Sequence, residues 1–345
     1  MVNIDRKVAL TGIFLKNDET ISMLLTLMAR VWILPSRKLI SIIGTGKLGS
    51  AVALQVASRE LGDLRLVDII QGLPQGEALD LGQMAAEQGA DVDIVGSNDY
   101  KDIGGSDLVV VVGGLGRKPG MTRLDLQEKN EDIIRGICDK IVEYAPKTLI
   151  LMVTNPLDVM TYLAWKVTGF EPSRVFGQSG MLDTMRFKYF IAKALRVSTS
   201  SIQAVVIGEH GDSMVPLPRF STVNGVPITE LLSPAQVAEA IERTRKIAAE
   251  VIALKGATIY APAHGITRMV ESVIKDKKMV LCLTAHLNGE YGVKDIYLDV
   301  PAVLGARGVE RVIELKLNDE ERAAFLKSVE VVKTAVGHLK TVKVS

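Results

Sequence analysis

A disulfide-built scaffold is excluded at the outset, because the 345-residue chain has only two cysteines, Cys138 and Cys282. Thiols without a framework point to a reducing compartment, here expected to be the cytoplasm. Histidine is scarce too. His210, His264, His286 and His338 are scattered, form no H-x-x-x-H pair and have no cysteine at ligand spacing. No metal site is therefore expected. An excess of either charge is missing: 41 basic against 40 acidic side chains leave a net of +1. That argues against a nucleic-acid partner. The apolar stretch Ile21–Pro35 falls short of the roughly 20 residues a bilayer span needs, and Arg30 interrupts it, so no membrane partner is expected. Asp5, Asp18 and Glu19, with no A-x-A-like cleavage site, argue against a signal peptide. There is no short internal repeat and no low-complexity linker. What is present is 48% hydrophobic and 23% charged residues, the balance of a soluble globular protein. At about 100–200 residues per domain the length suggests two.

The periodic pattern begins at Leu39. LISIIG (39–44), LRLVD (64–68), DVDIVG (91–96), DLVVVVGG (107–114) and TLILMVTN (148–155) read as strands. Helical stretches lie over Leu48–Leu61, Gly76–Gly89 and Gln127–Tyr144. Continuous Val/Ile/Leu runs separated by helices indicate parallel strands covered on both faces, an α/β doubly wound sheet of the Rossmann kind. After about residue 178 the texture changes. SIQAVVIG (201–208) and FSTVNGVPI (220–228) read as strands, the latter with Asn224-Gly225 as a hairpin signal. One long helix is expected over Pro234–Ala261, a strand–turn–strand over 291–315, and a last helix over Asp319–Leu339 facing inward with Phe325, Val329, Val332 and Val336. The expected division is an N-terminal extension over 1–37, a dinucleotide-binding Rossmann domain over 38–177 and an α+β substrate-binding and catalytic domain over 178–345. The extension is either an arm packing on a partner subunit or the product of an upstream start codon, with Met23 and Met28 as alternative starts.

Gly44-Thr45-Gly46-Lys47-Leu48-Gly49 follows the first strand and opens a helix. In that context the first glycine allows the tight turn and the second lets backbone approach a pyrophosphate. The third packs helix on strand, and the helix N-terminus offers N–H donors. Asp68 lies 19 residues beyond Gly49, at the end of the second strand. A carboxylate there accepts ribose hydroxyls and repels a 2′-phosphate, favouring NAD over NADP. The loop GLGRKPGMTR (114–123) carries Arg117, Lys118 and Arg123 at the carboxyl end of the sheet. It reads either as a solvated basic loop or as a lid closing on an anion. His210, in IGEHGD, is structural or catalytic on the residues alone. Asp183 and Arg186, three apart in LDTMRF, share a helix face and form at least a local ion pair.

In order along the chain stand IIGTGKLG, LVD ending in Asp68, GRKPGMTRLDL, VTNPLD, LDTMRF, GEHGDS and KGATIYAPA, followed by a terminal amphipathic helix. Together they resemble the lactate/malate dehydrogenase family from about Leu39 to Leu339. The resemblance implies a 2-hydroxy-acid dehydrogenase with His210 as the acid–base group and Asp183 orienting it. It implies Arg123 polarising the substrate carbonyl, Arg186 gripping the C1 carboxylate and Asn155 contacting the substrate oxygen. Thr258 aligns with a small residue beside the nicotinamide. NAD is the implied cofactor, held by Gly44, Gly46, Lys47, Leu48, Gly49, Asp68, Asn130, Val153 and Asn155.

Within that family, arginine at the position of Arg117 marks the dicarboxylate substrates malate and oxaloacetate, and a neutral side chain marks lactate. The wording of the chain is nearest to the lactate-dehydrogenase-like malate dehydrogenases, including archaeal ones. That subgroup implies a homotetramer, with homodimers also known. Three alternatives compete. They are an L-lactate or broad 2-hydroxy-acid dehydrogenase, an NAD-dependent glycosidase of related core, and an NAD-binding sensor that has lost catalysis.

Overall fold

Six short strands carry the first half of the chain: β1 (Leu39–Ile43), β2 (Asp63–Val67), β3 (Ile94–Ser97), β4 (Leu108–Val111), β5 (Leu149–Met152) and β6 (Val175–Gly177). The computed structural model in which they are seen describes residues 37–116 and 122–340, Arg123 by its backbone alone. The expected N-terminal extension therefore lies, but for Arg37, outside the described residues. All six strands are parallel, in the order β3-β2-β1-β4-β5-β6. Two interior strands, β4 and β5, are buried at every position, as two-sided helical cover requires. Helices α1 (Lys47–Ser58), α2 (Leu73–Gln88), α3 (Arg123–Tyr144) and α4 (Leu157–Thr168) connect them. The doubly wound expectation holds, with element ends moved by a few residues.

The second half departs further from its sequence reading. Helix α5 (Gly180–Leu195) is followed by β7 (Ile202–Gln203) and β8 (Val206–Ile207), so the single strand expected over 201–208 is two. β7 pairs with β10 (Thr222–Val223), while β8 pairs with β9 (Val215–Pro216). The hairpin of β10 with β11 (Val226–Pro227) turns at Asn224 (φ 48°) and Gly225 (φ 89°), the two positive φ values of a type I′ turn. After the short α6 (Ile228–Leu231) comes α7 (Pro234–Lys255), which Gly256 ends in a left-handed cap (φ 85°). The helix expected to run on to Ala261 therefore stops, and a separate helix α8 (Tyr260–Ile274) begins. Pro262 falls in its first turn, where a missing N–H costs nothing.

The largest surprise is β12 (Met279–Asn288), a long strand that the sequence reading left unassigned. With β13 (Lys294–Gly305) and β14 (Gly308–Val312) it forms an antiparallel meander. This meander is not a sheet of its own. β12 pairs with β6 through Thr284 and Gly177, making one nine-stranded sheet in the order β14-β13-β12-β6-β5-β4-β1-β2-β3. From Lys38 onward the chain is one compact unit by its contacts. Helix α9 (Asp319–Gly337), opened by an Asn318/Glu321 capping box, buries Phe325, Val329 and Val332. No helix among the described residues is long and apolar enough to cross a membrane.

Candidate active site

The carboxyl ends of β1 and β4 converge on the glycine turn. Gly44 has φ 96°, and a Cβ there would stand 2.5 Å from the Gly113 nitrogen after β4. A Cβ on Gly49 would stand 1.9 Å from the Gly44 carbonyl oxygen. Both positions are thus demanded by the fold. Gly46 is different. Its φ of −69° suits any residue, and nothing lies within 4 Å of the place a Cβ would take. No side chain caps α1 at Gly46, and no acid stands in its first turn. The N–H donors and dipole of that helix end are therefore free for a phosphate, which fits a dinucleotide. Lys47 is exposed at the first helical position.

Asp68, directly after β2, braces this turn. Its Oδ2 accepts the Thr45 N–H at 2.7 Å and the Thr45 hydroxyl at 3.3 Å, and its Oδ1 accepts the Ile70 N–H at 3.0 Å. The segments that follow β4 and β5 are tied together by Asn130. Its Oδ1 accepts the Leu115 N–H at 2.7 Å, and its Nδ2 donates to the Leu115 oxygen at 3.1 Å and the Asn155 oxygen at 2.6 Å. Fully buried and fully engaged, the Asn130 amide fixes the base of the 114–123 loop against the exposed Asn155. Val153 is buried, its N–H donating to the Val111 oxygen at 2.9 Å. The peptide bond Asn155–Pro156 is cis. At the far end of the loop a Thr122/Asp125 capping box sets Arg123 at the first turn of α3. Arg117 and the side chain of Arg123 lie outside the described residues.

His210 sits in the loop after β8. Its backbone N–H donates to Asp158 Oδ2 at 2.9 Å, which binds that loop to the start of α4. Its Nδ1 lies 2.7 Å from Asp183 Oδ2, and Asp183 Oδ1 accepts from Arg186 Nη1 at 2.8 Å. One carboxylate, 1% exposed, thus bridges an imidazole and a guanidinium. The spacing of Asp183 and Arg186 on α5 was legible as an ion pair. The third member arrives only through the fold. Burial works against a charged imidazole here, but the Asp183 carboxylate outweighs it, with a smaller push from Asp299, and raises His210 to about 9. Burial likewise opposes a charged Asp183, yet His210 and Arg186 hold it below the usual carboxylate range. Among the described residues Nε2 of His210 makes no hydrogen bond. A base with one nitrogen oriented by a carboxylate and the other available is equipped to move a substrate proton.

Sequence reasoning missed two acids of this cluster, Asp158 and Asp299, which are 3% and 2% exposed. The readable signal for Asp299 was a single acid in the otherwise apolar run YLDVPAVLG of β13. Thr258, before α8, has a buried hydroxyl with no hydrogen-bond partner among the described residues. A bound group could supply the missing bond.

Comparison with known proteins bears on this geometry directly. Residues 38–177 match the lactate/malate dehydrogenase NAD-binding domain, and residues 180–342 match the alpha/beta C-terminal domain of the same family. A malate dehydrogenase of Roseiflexus sp. (strain RS-1) is 51% identical over 306 residues, covering 88% of this chain and 99% of that protein. Among solved structures, the Cryptosporidium parvum malate dehydrogenase superposes with a TM-score of 0.86 at 38% identity, covering 88% of this chain and 99% of the other. The lactate dehydrogenase of the same organism, complexed with lactic acid and nicotinamide adenine dinucleotide, also gives 0.86, at 36% identity with 89% and 99% coverage.

Proposed function

The chain belongs to the lactate/malate dehydrogenase family, and on that footing we propose that it works as an NAD-dependent malate dehydrogenase interconverting (S)-malate and oxaloacetate. The observation that carries the mechanism is the Arg186–Asp183–His210 array. Nε2 of His210 takes the hydroxyl proton in oxidation and returns it to the carbonyl oxygen in reduction. Asp183 holds the ring by Nδ1 and stabilises its charged form, the role a third group plays for any oriented base. Arg186 spends one Nη1 on Asp183, and its other donors suit a planar C1 carboxylate. Arg123 meets the carbonyl oxygen as charge develops on it, with Asn155 beside it. NAD, when bound, supplies the two-electron acceptor at its nicotinamide ring. Gly46, Lys47, Leu48 and Gly49 hold its pyrophosphate, Asp68 its ribose, and Val153, Asn155 and Thr258 border its nicotinamide end. Asn130 contributes by holding the loop base.

On this reading the halves 38–177 and 178–345 bind cofactor and substrate respectively, although one sheet runs through both. The buried free thiols Cys138 and Cys282 suit a cytoplasmic protein. The assembly is a homotetramer, with a homodimer as the second choice by resemblance to the archaeal-type subgroup.

The test is a steady-state comparison of oxaloacetate and pyruvate, each with NADH and NADPH. Oxaloacetate with NADH is expected to give the highest kcat/KM, and a tenfold preference for pyruvate would overturn the substrate assignment. The glycine turn supplies a second test. Gly46→Val is expected to leave the melting temperature unchanged while raising the NADH Kd at least about tenfold. Gly49→Ala, whose Cβ meets a backbone oxygen, is expected to lose about 3 kcal/mol of stability. Equal NADH affinity in Gly46→Val would remove the pyrophosphate from that turn.

A further inference from the structure

Asp299 has no part in the roles above, yet it is built into the same cluster. Its Oδ1 accepts hydrogen bonds from Ser179 Oγ at 2.7 Å and Thr284 Oγ1 at 2.8 Å, and its Oδ2 lies 2.8 Å from Ser179 Oγ. Its backbone exchanges two hydrogen bonds with Gly208, two residues before His210, at 2.9 and 3.0 Å. One side-chain atom each of Asp183, His210 and Asp299 lie within 4.8 Å of one another. On the other side, Asp158 gives one oxygen to the His210 N–H, and its Oδ1 is buried with no partner among the described residues.

The charges facing this cluster come from every element around it. Asp183 and Arg186 stand on α5, Asp158 on α4, Asp299 on β13, and His210 and Glu209 on the loop after β8; the Cys282 thiol is on β12. Three buried aspartates, besides Glu209, thus share two cations. Ionising all three would leave uncompensated negative charge in a poorly solvated interior, so one of them holds a proton. Burial, followed by Asp299, raises Asp158 well above the carboxylate range, and its Oδ1 is buried without a hydrogen-bond partner among the described residues. Burial and then Asp183 push Asp299 up to about 6, while His210, Ser179 and Thr284 act to keep it ionised.

We propose that Asp299 is a positioning residue of the proton-transfer step: pinned by Ser179 and Thr284 beside the Asp183–His210 pair, its carboxylate adds a second negative charge that holds the imidazole in its charged form, while Asp158 stores the proton that lets three carboxylates coexist. The charged imidazole is the form that donates to oxaloacetate, so the arrangement biases His210 toward reduction at neutral pH. This rests on His210 being the acid–base group.

The experiment is Asp299→Asn, which keeps the shape and one acceptor for the two hydroxyls. Two readouts are needed: NMR titration of the His210 ring in histidine-labelled free protein, and the pH profile of kcat/KM for malate. The His210 titration is expected to move down by about half a pH unit or more, and the rising limb of malate oxidation to move with it. The wild-type ring signal should carry a second inflection near 6, absent from the variant. A folded variant whose His210 titrates unchanged overturns the proposal even if kcat falls, since a packing role predicts lost rate without a moved titration. Ser179→Ala covers the case in which Asp299→Asn does not fold. It retains the carboxylate but removes donors, so the inflection near 6 should move upward, and an unmoved inflection overturns the proposal. Failure of the acid–base reading is separable, because a His210→Asn enzyme of full activity would refute that role whatever the titrations give.

Discussion

His210→Asn is expected to lower kcat/KM for both malate and oxaloacetate by about 10³-fold, within the range assigned to general acid–base groups. Asparagine retains an amide that can donate toward Asp183 but has no titratable nitrogen, so proton transfer must fall to water. The fold should survive, because Asp183 keeps its 2.8 Å bond from Arg186 and Asp158 keeps the backbone N–H at position 210. Unchanged NADH affinity, read by fluorescence titration, separates lost chemistry from lost binding. The pH profile carries the sharper signature. Oxidation of malate needs a neutral imidazole, so wild-type kcat/KM should climb until the pH reaches about 9, where His210 loses its proton. Reduction needs the charged ring, so its kcat/KM should stay level below about 9 and fall as the pH rises through it. Both limbs should vanish in the variant. The same pair also tells in stability. A histidine raised above its ordinary value of 6.5 stabilises the fold most fully below that pH, and the contribution is lost as the pH rises through about 9. Activity within tenfold of wild type would remove His210 from the chemistry.

How far the chain could be read depended on whether a feature was local. β1, β4 and β5 are short apolar runs bounded by turns, and their two-sided burial is written in consecutive residues. The glycine turn and Asp68 were equally local, since spacing along one βα unit puts them together. The second half resisted because its pairings are distant. Periodicity over 201–208 suggested one strand, but Ile202 pairs with Val223 while Ile207 pairs with Val215, and the two directions split the segment. β12 escaped because it is buried along both faces and so has no alternation to announce it. The acid cluster shows the same limit. Asp158, Asp183, His210 and Asp299 come from four segments, and only the closing of β13 onto the His210 loop brings the last of them in. A buried aspartate among apolar neighbours in YLDVPAVLG could have been flagged, though not its partner.

Arg117→Gln is expected to shift the ratio of kcat/KM for oxaloacetate over pyruvate toward pyruvate by at least about 10²-fold. Charge counting decides between the two substrates. Asn130 clamps the chain at Leu115 and the Thr122/Asp125 capping box fixes it at 122, and Arg117 lies between these two positions in sequence. Asn130 also holds Asn155, three residues before the Asp158 that receives the His210 N–H. The loop base and the acid–base group therefore belong to one bonded end of the sheet. Oxaloacetate brings a second carboxylate where pyruvate has a methyl group. In a closed site an uncompensated buried charge costs about 3 kcal/mol or more, which corresponds to about 10²-fold in rate. Arginine meets the second carboxylate and is itself left unpaired by the methyl group, so one side chain both favours the diacid and penalises the monoacid. Glutamine removes both effects together. NADH affinity and turnover with the better substrate should change far less than the ratio, since neither Asp183 nor His210 is touched. An unchanged ratio would show that Arg117 does not reach the substrate, and the choice between malate and lactate would then have to lie elsewhere in the site.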